Sequence, residues 1–371
     1  MKRPKCTLVL SSGERFEGEL IGAPLSTSGE MVFTTGMVGY CEAMTDPSYY
    51  GQILTFSYPL IGNYGVPSLP VNDDAMIPSG FESHKVHVAG IIVSVDSEDA
   101  YHWNSFHSLD NWMKQQGIPG VAGLDTRHLV HLIRGGAHIH GRFEVEGSTG
   151  SVALLSGAKL DAGGFFDPAE NDILNKVSTK ERRVLGKGRT RIGLVDCGVK
   201  WNIIRQLIDR SCEVELLPWN TDLTKVDCGG FLLSNGPGDP NRADTLVKNV
   251  RKQLENKRPI LGICLGHQIL ALAAGATTTR MAYGHRSHNQ PVLQVGTRRG
   301  YITSQNHGYV VQTESLPKEW APWFVNVNDN TIEGIRHTSK PFRSVQFHPE
   351  AAGGPRDTAW ITEQFVAEVL S

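Results

Sequence analysis

Apolar and polar positions follow two different grammars along this chain. Up to about residue 95 the apolar residues come in short runs, at 7–10, 15–20, 31–34, 52–58 and 87–95, broken by glycine, proline, serine and asparagine. Such runs predict strands joined by turns. The period then lengthens, and helices are predicted over 105–116 and 126–134, the second with Asp125 as its cap.

From residue 191 strands alternate with helical segments: strand 192–196, helix 201–209, strands 213–218 and 230–234, helix 244–256, then a strand near 260 leading into a helix through Ala274. Alternation of this kind predicts a mostly parallel sheet flanked by helices. The expected architecture is therefore α/β, with a β-rich domain over 1–146, a linker rich in Gly, Ser, Ala and Asp over 147–189, and a second domain over 190–371.

Composition narrows the classes of function. With 371 residues, 40% hydrophobic, 20% charged and a formal net charge of -2, the chain resembles an average globular protein. No broad basic field is available for nucleic acid. The apolar stretch 260–276 is interrupted by His267 and Gln268, so no membrane span is expected. The start is too short in apolar residues for a secretory signal. Six cysteines at 6, 41, 197, 212, 228 and 264 include no C-x-x-C pair, which points to reduced thiols and a cytoplasmic setting. His84, His87, His138 and His140 lack a matching cysteine or carboxylate cluster, so no metal site is expected.

The segment 259–268, Pro-Ile-Leu-Gly-Ile-Cys-Leu-Gly-His-Gln, joins a buried strand to a helix. Cys264 sits on the turn, with Gly262 and Gly266 two residues to either side, the pattern of a nucleophile elbow. A helix N-terminus there favours the thiolate. Read alone, Cys264 serves equally as a small buried hydrophobe. A second segment ends a strand in His348-Pro349-Glu350, and side chains two apart in an extended chain point to one side, so His348 is a candidate base oriented by Glu350. A third, 233–240, is a strand followed by Asn235-Gly236-Pro237-Gly238, whose backbone N–H groups are candidates, with that of Leu265, for an oxyanion hole.

In this order, N-G-P-G-D-P, G-I-C-L-G-H-Q and F-H-P-E resemble the class I, or triad, glutamine amidotransferases. The match covers 191–371. In the first domain T-G-M-V-G-Y at 35–40, T-D-P-S-Y at 45–49 and Y-P-L-I-G-N-Y-G at 58–65 resemble the small subunit of carbamoyl phosphate synthetase, with details at 218–220 and 288–291 closer to the eukaryotic, pyrimidine-pathway type. The resemblance implies Cys264 as nucleophile, His348 as base and Glu350 as its orienting acid. It implies glutamine recognition by Ser48, Gly236, Gly238, Leu265, Gln268, Asn306, Gly308 and Tyr309. It implies a partner as well, a large synthetase subunit or domain carrying ATP and magnesium, while this chain needs no cofactor of its own. Arg280 and Ser287 stand where the family usually has Lys and Gly, and a loop of altered geometry is expected over 280–289.

The implied activity is hydrolysis of L-glutamine to glutamate and ammonia for carbamoyl phosphate synthesis, in pyrimidine or arginine formation. No Walker-type phosphate loop appears, so ATP chemistry belongs elsewhere. Three other readings compete: a glutaminase for another synthetase, a non-catalytic module of the same fold, and a cysteine hydrolase of the esterase kind. Residues 45–65 oppose the first, the presence of Cys264, His348 and Glu350 together opposes the second, and the order His348 before Glu350 opposes the third.

Overall fold

The computed structural model describes residues 3–68, 77–97, 100–136, 138–148 and 150–370. The chain divides into two compact units, with the break between Asp172 and Ile173.

In chain order the first unit holds β1 (Lys5–Leu10), β2 (Arg15–Gly22), β3 (Thr27–Thr34), α1 (Tyr40–Thr45), β4 (Gln52–Phe56), β5 (Leu60–Ile61), β6 (Gly90–Val93), β7 (Val95–Asp96), α2 (Leu109–Gln116), β8 (Pro119–Ala122), α3 (Thr126–Gly135) and β9 (His140–Val145). Seven of the strands close a barrel in the order β1-β2-β8-β6-β4-β3-β9, and β5 pairs β7 separately. Closure leaves no unpaired edge among the seven. Leu8, Ile53, Ile92, Val121 and Phe143 are fully buried and share one core.

The predicted helix at 105–116 starts later, at Leu109, because His107 is held in a bridge to Val66 and Ser108 caps the first turn by accepting from Asn111 N at 3.3 Å. The cap expected at Asp125 is present, accepting from His128 N at 2.9 Å. The stretch expected as a linker is shared between the units. Residues up to Asp172 belong to the first, where Phe166 is buried and donates its N–H to Ser28 Oγ at 2.9 Å.

The second unit adds α4 (Leu174–Val177), β10 (Arg183–Leu185), β11 (Thr190–Asp196), α5 (Trp201–Asp209), β12 (Cys212–Pro218), β13 (Gly230–Leu233), α6 (Asp244–Gln253), β14 (Ile260–Ile263), α7 (Leu265–Ala274), β15 (Thr278–Gln294), β16 (Gly300–Val311), β17 (Trp320–Asn326), β18 (Ile332–His337), β19 (Phe342–Val345) and α8 (Trp360–Leu370). They make a ten-stranded sheet in the order β10-β12-β11-β13-β14-β19-β18-β17-β15-β16. From β12 to β19 neighbours run parallel. From β19 to β16 they run antiparallel.

Both faces of the parallel part are buried. Phe231 and Leu233 of β13 pack into the core with Leu246 and Val250 of α6 and Ile269 of α7, whereas Leu232 points the other way, into the core with Ile204 and Leu207 of α5 and Phe365 of α8. That two-sided burial is why these strands read as continuous apolar runs rather than as alternation. Among the described residues no helix is long and apolar enough to cross a membrane.

The segment 280–289, expected as a loop, is strand. It lies inside the 17-residue β15, with irregular register between Arg280 and His285 and again between Ser287 and Gln290. Gly284 takes the left-handed conformation, φ 67°, at the first irregularity. Ser287 pairs with Gln305, and its hydroxyl accepts from Gln290 Nε2 at 3.0 Å, a backbone setting that needs no glycine.

Candidate active site

Open parallel sheets gather ligands at the carboxyl ends of their strands. In the second unit the ends of β11, β13, β14 and β19 lead directly into 196–200, 234–238, 264–265 and 346–350, four segments that carry chemistry.

Cys264 stands between β14 and α7 with φ 54° and ψ -105°, a conformation costly for a residue with a side chain. Its backbone is tied at both ends. Its N–H donates to Val345 O at 2.9 Å, and its carbonyl accepts from His267 N at 3.0 Å and Gln268 N at 3.2 Å. The flanking glycines are steric necessities. A Cβ on Gly262 would lie 2.5 Å from Gly266 O, and one on Gly266 would lie 2.1 Å from Leu233 O. The Cys264 Sγ lies 3.8 Å from Asn306 O on β16.

His348 follows β19, and two backbone hydrogen bonds hold the segment: Gln346 N donates to Glu333 O at 2.9 Å, and His348 N donates to Ser304 O at 3.0 Å. Its Nδ1 bonds Glu350 Oε1 at 2.7 Å. The same carboxylate oxygen receives Lys200 Nζ at 2.8 Å, with the Lys200 side chain 8% and the Glu350 side chain 0% exposed. Burial pushes the Glu350 carboxyl up, but Lys200 and His348 outweigh it and hold the group down at about 2. Burial and Lys200 push the His348 imidazole down; Glu350 and Cys264 push harder the other way, to about 9. Glu350 occupies the Nδ1 side of the ring, and Nε2 is buried without a hydrogen-bond partner among the described residues. Catalytic hydrogen bonds often tighten only when substrate is bound.

The remaining cysteines are poor competitors as nucleophiles. Burial pushes Cys6 up to about 12 and raises Cys41, Cys197, Cys212 and Cys228, and all six cysteines are free thiols.

The structure brings several of the residues expected in the pocket near one another. Leu265 is the first residue of α7, and Gly236 lies against it: a Cβ on Gly236 would be 2.9 Å from Leu265 Cδ2 and 2.0 Å from Cys197 O. Gln268 Nε2 donates to Tyr309 O and to Gln346 Oε1, each at 3.0 Å. Asn306, Gly308 and Tyr309 sit in succession on β16, and the Arg280 guanidinium lies 5.9 Å over the Tyr309 ring. Gly238 adopts φ 95° beside Ile173. Ser48 belongs to the other unit, buried in a short 3-10 turn where Asp46 Oδ1 accepts from its N–H at 2.8 Å.

Lys200 was not singled out by sequence reasoning. The signal was there, a lysine ending a strand–turn run Asp196-Cys197-Gly198-Val199, but a lysine in a turn ordinarily reads as solvated. Of the histidines weighed as ligands, His87 is buried against Ser83 Oγ at 3.0 Å and His140 lies 3.6 Å from Asp167. Among the described residues the group with metal-ligand proximity is a different one, His285, His307 and Glu333.

Comparison with known proteins gives matches over both units. The family model "Glutamine amidotransferase class-I" matches residues 193–368, and "Carbamoyl-phosphate synthase small chain, CPSase domain" matches residues 8–143. The arginine-specific small chain of carbamoyl phosphate synthase from Saccharomyces cerevisiae is 44% identical over 372 residues, covering 97% of this chain and 88% of that one. The mitochondrial "Carbamoyl-phosphate synthase [ammonia]" of Rattus norvegicus is 44% identical over 368 residues, and the "Multifunctional protein CAD" of Squalus acanthias is 44% identical over 363. This chain spans 24% and 16% of the length of those two proteins.

Proposed function

The chain belongs to the carbamoyl-phosphate synthase small-chain family, with a class-I glutamine amidotransferase unit, and on that premise we propose that it hydrolyses L-glutamine and supplies the ammonia to a carbamoyl phosphate synthetase. The observation that supports the reading is the strained elbow at Cys264, at the end of a strand paired with the one that leads into His348, whose buried imidazole meets Glu350 at 2.7 Å.

In this reading Cys264 attacks the side-chain amide carbon of glutamine as the thiolate, and the C–N bond breaks as His348 passes a proton to the departing ammonia. The glutamyl thioester is then hydrolysed by a water from which His348 takes a proton. Glu350 keeps Nδ1 protonated throughout, so that Nε2 does the transferring. The backbone N–H groups of Leu265 and Gly236 are suited to the developing oxyanion. Gln268, Asn306, Gly308, Tyr309 and Gly238 would hold the amino acid.

The partner would be a large synthetase subunit or domain that carries ATP and magnesium and makes carbamoyl phosphate from bicarbonate, for pyrimidine or arginine synthesis. Ammonia handed over internally stays unprotonated and keeps its nucleophilic lone pair. A cytoplasmic setting is supported by six free cysteines, since such thiols persist in reducing compartments. A non-catalytic reading of the same fold would leave the strained Cys264 and the buried Lys200–Glu350–His348 chain without a purpose.

The test is release of glutamate and ammonia from glutamine by the wild type and by Cys264→Ala. The variant should lose at least about three powers of ten in turnover while remaining folded. Undiminished release would remove Cys264 from the mechanism. The isolated chain should turn over slowly and be accelerated by its synthetase partner in the presence of ATP and bicarbonate; equal rates with and without the partner would refute the coupling.

A further inference from the structure

Acceptor atoms converge at a buried point in the antiparallel half of the second unit's sheet, on side chains that the proposed hydrolysis does not use. His285 of β15 and His307 of β16 are register partners, and Glu333 comes from β18. One ligand-type atom of each lies within 4.8 Å of the other two, and all three residues are buried.

The hydrogen bonds around them leave more acceptors than protons. Thr303 Oγ donates its proton to the Gln290 carbonyl at 2.9 Å, so it can only accept from Gln305, which must turn its NH2 toward it at 3.1 Å. Gln305 Oε1 is thereby aimed at His307 Nε2, 3.1 Å away. His307 Nδ1 lies 3.0 Å from the Tyr309 carbonyl, which can only accept, so a neutral ring has one N–H for two acceptors, and with that N–H on Nδ1 the lone pair of Nε2 meets Gln305 Oε1. Two acceptors thus face each other, and a third, Glu333 Oε1, lies 3.8 Å from Nε2. The same carboxylate oxygen is 3.1 Å from His285 Nδ1, while its neighbour Oε2 is buried without a hydrogen-bond partner. Asn326 donates to Oε1 at 3.3 Å and leaves Oε2 untouched. A cation resolves such a convergence.

We propose that His285 Nδ1, His307 Nε2, the Glu333 carboxylate and Gln305 Oε1 bind a divalent first-row transition metal, zinc in the first instance. Two imidazoles with a carboxylate and an amide oxygen suit that class of ion rather than calcium or magnesium. The surrounding shell has the form that orients ligating imidazoles: each ring directs its other nitrogen at a fixed acceptor, His285 Nε2 at Asp329 Oδ2, 2.8 Å away, and His307 Nδ1 at the Tyr309 carbonyl. The ion ties β15, β16 and β18 together immediately behind Asn306, Gly308 and Tyr309. It is a structural site, and it stands whether or not the chain hydrolyses glutamine.

The competing occupant is a proton, giving an imidazolium held between carboxylates and no metal. The chain carrying Cys264→Ala, which removes the elbow thiol as an adventitious ligand, is stripped with a chelator, loaded with zinc sulfate, desalted and analysed by mass spectrometry of the elements. About one tightly held zinc per chain is expected. The cobalt-loaded protein should show the ligand-field bands of a nitrogen- and oxygen-bound ion. Adding His307→Ala or Glu333→Gln should abolish retention of the metal. Retention far below one equivalent by the folded chain overturns the proposal, as does undiminished retention in either variant. Should a variant fail to fold, the cobalt spectrum of the parent chain decides alone, and absence of any such band is refutation.

Discussion

Replacing Lys200 by methionine removes one charge from the core of the candidate site and keeps its volume. Lys200 Nζ and His348 Nδ1 meet the same oxygen of Glu350, at 2.8 Å and 2.7 Å, so the two cationic groups are at most about 5.5 Å apart. At an effective dielectric of about 20, unit charges at that separation repel by about 3 kcal/mol. Each pKa unit is worth roughly 1.4 kcal/mol, so relief of that repulsion shifts the His348 imidazole upward by on the order of two units. Its starting point is already raised, to about 9. The sign follows from the charge: Lys200 disfavours the imidazolium, and its loss makes the ring hold its proton to higher pH. Since the ring must carry a proton to release ammonia, the wild type should lose activity as pH rises through about 9 and the variant only above that. The assay is the pH profile of kcat/KM for glutamine hydrolysis. Breaking a buried pair costs up to about 3–5 kcal/mol, lessened here because Glu350 keeps His348, so circular dichroism must first show the variant folded. An alkaline limb that stays in place, or moves to lower pH, would refute this account of the charge chain.

Three further outcomes follow from other parts of the structure. Gly266→Ala should abolish glutamine hydrolysis and lower the melting temperature, because its new methyl group would sit 2.1 Å from the Leu233 carbonyl oxygen; a variant with wild-type melting and turnover would contradict the elbow geometry. Phe324→Ala should cost about 3–5 kcal/mol in urea unfolding, since the ring is fully buried and packs edge-on against Phe347 at 5.2 Å; a loss below about 1 kcal/mol would show that the core collapses around the gap. Glu350 has its carboxyl held down at about 2, so its contribution to stability is fully present above the unfolded value near 4.5 and lost as pH falls toward about 2. Glu350→Gln should flatten stability over that acid range, and an unchanged acid limb in chemical unfolding would count against it.

Local sequence determined a great deal here. The apolar runs around 192–196, 230–234 and 260–263 could only be strands buried on both faces, and the strand–Gly-Ile-Cys-Leu-Gly–helix order fixed an elbow, because backbone and neighbouring strand leave room for glycine alone at 262 and 266. The two-residue spacing of His348 and Glu350 likewise set their mutual hydrogen bond, a short-range matter. What the sequence left unread was whatever depends on partners distant in the chain. Residues 278–337 show no clean alternation because several inward positions of β15 and β16 are polar, His285, Ser287, Gln305 and His307, held by polar partners such as Glu333, Gln290, Thr303 and Tyr309 rather than by apolar packing, so the antiparallel half of the sheet gave no periodic signal. The barrel closes through β9 against both β1 and β3, pairings across more than a hundred residues that no local pattern encodes. Lys200 became part of the charge chain only when the fold set it against a carboxylate 150 positions away, and the same is true of His285, His307 and Glu333. Propensity and steric exclusion act between neighbours and are written in the sequence directly; electrostatic partnership and shared burial act through space, and folding alone decides them.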